Sequence, residues 1–120
     1  MFASRQILNL ELEEVDELAI IRLPDSQLTR LERDGFKTEM INIIGRGYRF
    51  FILDLSAVRF IDISALGAIL SLLNTIGPNG RMVVCGLNHL LEDVFRLTNL
   101  NRVIEIQPDL AHARQALQAD

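Results

Sequence analysis

Leu8, Leu10 and Leu12 alternate with Asn9, Glu11 and Glu13, a period of two that predicts a strand with one buried face. The acidic cluster Glu13 to Glu17 then precedes the apolar run Leu18-Ala19-Ile20-Ile21, which predicts a hairpin with the charge at its tip. Pro24-Asp25-Ser26 ends the second strand, and Phe36, Met40, Ile43 and Ile44 draw one apolar stripe along a helix closed by Gly45 and Gly47. Phe50-Phe51-Ile52-Leu53 shows no alternation, as expected of a central strand covered on both faces or of one shielded by its neighbours. Leu66, Ile69, Leu70 and Leu73 predict the buried stripe of a second helix, broken by Gly77-Pro78-Asn79-Gly80. Met82 to Cys85 predicts another buried strand. Asn88 then caps a helix with Leu91, Val94, Phe95 and Thr98 on one side. Val103 to Ile106 predicts the last strand, and Asp109 caps a final helix with Leu110, Ala113 and Leu117 inward.

Strands separated by helices need crossover connections. The pattern therefore predicts an α/β fold: a mixed sheet, parallel after its initial antiparallel hairpin, packed with about four helices. With 120 residues and no linker or repeat, the expectation is one domain over residues 1–120. Apolar residues at 49% and charged residues at 23% are the composition of a folded chain. A net charge of −4 argues against nucleic acid or anionic lipid as partner. No apolar stretch approaches a membrane span, and the N-terminus does not read as a secretory signal. With a single cysteine, Cys85, a reducing compartment fits, and the expected location is the cytoplasm.

Catalysis needs convergent groups, and the sequence offers none. His89 and His112 fall in separate helices without a thiol or carboxylate pattern, and no phosphate-binding or zinc-hydrolase motif is present. Gly45-Arg46-Gly47 precedes a strand, which makes it a turn. Cys85 lies in an apolar strand, which makes it a core residue. No catalytic residue, metal site or cofactor is expected. The segment that stands apart runs from Asp54 to Gly67, out of the central strand and into a helix. Asp62 and Ser64 are both suited to a helix start, either as caps alone or beside an added phosphate. Ala65, Ala68 and Leu72 form a second, small-residue stripe on that helix, available either to a docking partner or to a neighbouring helix.

On these residues the chain resembles the STAS domain family, named for sulphate transporters and anti-sigma factor antagonists. The resemblance covers Asp54-Leu55-Ser56, Val58-Arg59-Phe60-Ile61-Asp62, Ala65-Leu66-Gly67, Gly80-Arg81-Met82-Val83-Val84 and Phe95-Arg96-Leu97-Thr98-Asn99-Leu100. In antagonists of this family the loop reads Asp-Ser-Ser/Thr-Gly-Leu-Gly, and a kinase phosphorylates the serine after the aspartate. Here Asp62, Ser64, Leu66 and Gly67 match, Ala65 stands for a glycine, and Ile63 occupies the acceptor place. Asn99 and Pro24-Asp25-Ser26-Gln27-Leu28 also depart from the family pattern, at turn positions. The resemblance implies a regulatory module that binds an anti-sigma factor or other serine kinase-like regulator through Asp62, Ile63, Ser64, Ala65, Ala68 and Leu72. The usual phosphate acceptor is lost, and Ser64 is the nearest remaining hydroxyl. It also allows a STAS subunit of a stress-signalling or transport complex, or a domain binding a small ligand or nucleotide at the helix start. A homodimer is among the assemblies it permits.

Overall fold

The computed structural model describes residues 10–118. Leu8 and Asn9, at the start of the expected first strand, lie outside them. Strand β1 (Glu11–Val15) pairs antiparallel with β2 (Leu18–Arg22). The register, Val15 opposite Leu18, leaves only Asp16 and Glu17 for the turn, with Asp16 at φ 53°. The acidic tip is thus narrower than expected. Glu13 and Glu14 belong to the strand, where Glu14 accepts the Tyr48 hydroxyl and sits 3.9 Å from Arg46. Edge position makes this charge tolerable, because an exposed strand edge is protected from mispairing by charged side chains.

The parallel part of the sheet follows the expected crossovers. β4 (Phe50–Asp54) lies between β2 and β6 (Arg81–Cys85), and β7 (Glu105–Gln107) closes the far edge, giving the order β1-β2-β4-β6-β7. Two further segments, β3 (Gln27–Leu28) and β5 (Phe60–Ile61), pair parallel over two residues only. Helices α1 (Arg30–Ile44), α2 (Ile63–Ile76) and α3 (His89–Leu97) share one face of the sheet, and α4 (Leu110–Gln118) packs on the other. Phe51 and Leu53 therefore join the larger core with Phe36, Ile69 and Phe95, while Ile52 faces Ala113 and Leu117. Burial from both sides is why these strands carry apolar runs without alternation.

Two expectations are corrected. On α2 the buried residues are Ala65, Leu66, Ala68, Ile69 and Leu72, while Leu70 is 42% exposed. Leu66 and Ile69 are buried as expected, and Ala65, Ala68 and Leu72 share the core face with them, where small side chains let α1 approach closely. At the other end, Thr98 terminates α3, exposed, its hydroxyl donating to the Val94 carbonyl at 2.7 Å. Asn99, at φ 62°, then turns the chain into a short 3-10 helix (Leu100–Arg102). That turn draws Val103 out of the expected strand and leaves it exposed, so β7 starts two residues later.

Candidate functional site

Helices α1, α2 and α3 all begin at the C-terminal ends of the parallel strands, where the orphan N–H groups of three helix starts gather. The chain reaches this end through Asp54, the sole buried charged residue among the described ones. Its Oδ2 receives Arg22 Nε and Nη2 at 3.2 and 3.1 Å, and its Oδ1 accepts the Ser56 N–H at 2.9 Å. Gly86, at φ +80°, passes so close that a Cβ there would come within 2.9 Å of Ser56 and 3.0 Å of the Asp54 carboxylate. Close approach and a left-handed backbone both require glycine. The short β3–β5 ladder then carries the chain to Asp62, whose N–H donates to the Leu28 carbonyl at 3.2 Å.

Asp62 joins two helices. Its Oδ1 accepts the Ala65 N–H at 3.0 Å, the N-cap bond of α2, and its Oδ2 accepts the Arg30 N–H at 2.8 Å, at the first residue of α1. Burial alone would raise the carboxyl pKa, but the N–H groups of Ala65, Arg30 and Ser64 and the Arg30 cation outweigh it and hold it below the ordinary aspartate value. The start of α1 is fixed independently by a capping box. Thr29 Oγ1 accepts the Leu31 N–H at 3.2 Å, and Glu32 takes the Thr29 N–H at 2.9 Å. The spacing Thr29-x-x-Glu32 carries this box in the sequence. Nothing local in the sequence marks the Arg22–Asp54 and Arg30–Asp62 contacts, each 32 residues apart.

The expected site residues part into two groups. Asp62 is engaged as a double cap. Ile63, the first helical residue, is 77% exposed. Ser64 is half-buried and turned toward α1, its Oγ 3.4 Å from Arg33 Nη1. Ser64 is therefore not the cap of α2. Ala65, Ala68 and Leu72 are buried and present no contact surface. Leu31, Phe60 and Leu90, at the starts of α1, β5 and α3, are exposed as well.

Cys85 is fully buried, and burial, then Asp54 and Asp109, push its thiol up to about 12. His89 and His112 are exposed, His112 lying 2.7 Å from Asp109. Among the described residues no cluster of three or more His, Cys, Asp or Glu could hold a metal, and no helix is long and apolar enough to cross a membrane.

Comparison with known proteins agrees with this architecture. A candidate anti-sigma factor antagonist of Thermotoga maritima is 29% identical over 106 residues, covering 87% of this chain and 93% of its own. The crystal structure of a candidate antagonist from the same organism superposes with a TM-score of 0.82 at 28% identity, over 91% of this chain and 94% of the other. An anti-sigma factor antagonist from Mycobacterium paratuberculosis shares the fold, with a TM-score of 0.86 at 16% identity over 92% and 94% of the two chains. The STAS domain family model matches residues 9–113. Match, strand order and the Asp62 helix start together place this chain in the STAS domain family.

Proposed function

We propose that this chain is a non-catalytic, cytoplasmic regulatory module that docks an anti-sigma factor or another serine kinase-like regulator at the Asp62 to Gly67 helix start, without the family's phospho-switch. The observation that carries the reading is Ile63, an isoleucine 77% exposed at the first position of α2. Water contact with so large an apolar side chain is unfavourable, and docking removes it. Phe60 and Leu31 are exposed too, at the starts of β5 and α1, and the double cap of Asp62 ties the start of α2 to α1. Isoleucine cannot accept phosphate. Ser64, one residue on, is rotated by about 100° around the helix axis, toward α1 and away from a kinase that addresses the residue after Asp62.

The test begins with co-purification from the native cell to identify the regulator, followed by calorimetry on the purified pair. Ile63→Asp should weaken binding, and Ser64→Ala should leave it largely intact. Intact mass after incubation with the regulator and ATP should show no added phosphate. Stoichiometric phosphorylation of Ser64 that abolishes binding would restore the switch in a shifted register and overturn the reading.

A further inference from the structure

We infer that the groove between α1 and α2 receives an acidic helical segment of a protein partner, with Arg33 and Lys37 as its anchors and Gly67 at its floor; that this partner is the regulator rests on the docking reading above. The groove is open, has a volume of about 370 Å³, and is lined by Arg33, Asp34 and Lys37 from α1 and by Ser64, Gly67 and Ser71 from α2. Both helices cross over between parallel strands, so they run in the same direction. Arg33 fixes their register, its Nη1 standing 3.4 Å from the Ser64 hydroxyl. Lys37, four residues on, and Gly67, three residues on, line the next turn.

Charge selects the occupant. None of the 14 residues of α2 is charged, so α1 alone sets the sign of the groove. It supplies two cations against one carboxylate, an excess of positive charge in a chain whose net charge is −4. The carboxylate, Asp34, takes Arg33 Nε at 3.1 Å and is 85% exposed, which makes the pair weak in water and leaves Nη1 on the α2 side. Lys37 is half-buried and has no ion pair among the described residues. A cation held along a groove without a carboxylate of its own chain favours one brought by another molecule. Arg33 and Lys37 lie one turn apart, about 6 Å along the axis, which matches carboxylates at i and i+4 of a docked helix. The floor of the groove agrees with close approach. Glycine inside a helix is destabilising relative to alanine, yet nothing in the fold requires Gly67: it is exposed, and a Cβ there would meet no packed neighbour within 4 Å. A missing side chain at that point leaves room for a partner's chain.

The probe is a helical peptide of about 16 residues with glutamates at i, i+4 and i+7, beside a counterpart with lysines at those positions, each titrated at low salt into the full-length 15N-labelled chain. Saturable binding of the glutamate peptide is expected, with amide shifts at Arg33, Lys37, Ser64, Gly67 and Ser71 and about tenfold weaker binding of the lysine peptide. Lys37→Glu should reverse that preference. Gly67→Leu, at a position with space for the side chain, should weaken binding about tenfold without lowering the melting temperature. Equal affinity for the two peptides, shifts that map elsewhere, no saturable binding, undiminished binding by Gly67→Leu, or inorganic phosphate binding the same residues more tightly than the peptide would each overturn the inference. Neither the regulator nor Ile63 enters this titration, so its failure is distinct from a failure of the docking reading, which the Ile63→Asp test decides.

Discussion

Replacing Asp62 by alanine removes two bonds at once, and the structure assigns them to different helices. The Oδ1 bond to the Ala65 N–H is an N-cap, for which loss typically costs about 0.5–2 kcal/mol. The Oδ2 bond to the Arg30 N–H adds the order of 1 kcal/mol as a charge-assisted bond at a half-exposed site. Together the expected loss for Asp62→Ala is roughly 1.5–3 kcal/mol, or a fall in melting temperature of about 5–12 °C for a chain of this size. Asp62→Asn separates the terms, because an asparagine carbonyl caps a helix as well as aspartate but offers one oxygen. It should retain the α2 cap and fall between wild type and alanine. Differential scanning calorimetry of the three proteins is the assay. Alanine indistinguishable from wild type would refute the double cap, and asparagine equal to wild type would refute the bridge to α1.

Leu53→Ala should cost about 2–5 kcal/mol in urea denaturation, since Leu53 is fully buried in the larger core; an unchanged midpoint would contradict that position. Cys85, buried with its thiol pushed up to about 12, should resist a thiol-reactive dye near pH 8 in the native protein and react once urea unfolds it. Native labelling at the unfolded rate would refute its burial. The lowered pKa of Asp62 gives the pH dependence its sign: the stabilisation is fully present above the unfolded aspartate value of about 4 and is lost as pH falls through the lower native value. The melting-temperature gap between wild type and Asp62→Asn should therefore narrow on acidification, and a gap that widens would show the sign to be wrong.

The chain order of the main elements was legible because two-sided burial and one-sided helix packing leave different periods. Phe50 to Leu53 and Met82 to Cys85 have no alternation because α4 covers the face that α1 to α3 leave open. The caps Asn88 and Asp109 were legible for a local reason, since each bonds an N–H three residues on. Apart from the local capping box of Thr29 and Glu32, what escaped was decided by partners distant in sequence. β3 and β5 are two residues each, too short for any period, and exist because each supplies the other's ladder. Gly86 showed no turn pattern, because its constraint comes from Ser56 and Asp54 on another strand's exit.

The stripe expected on α2 holds in part: Leu66 and Ile69 are buried and Leu73 packs against the core, while Leu70 is exposed. On an isolated helix, Leu70 and Leu73 outrank Ala65 and Ala68 as core residues, because more apolar area leaves water. Packing against α1 adds Ala65 and Ala68 to the core, since small side chains let that helix approach closely, and Leu70 is left exposed. The apolar surplus of α2 is therefore what its core face does not use, Ile63 and Leu70, which stay exposed. A composition that would be wasteful in a fully packed helix is what an exposed position needs if something else is to cover it.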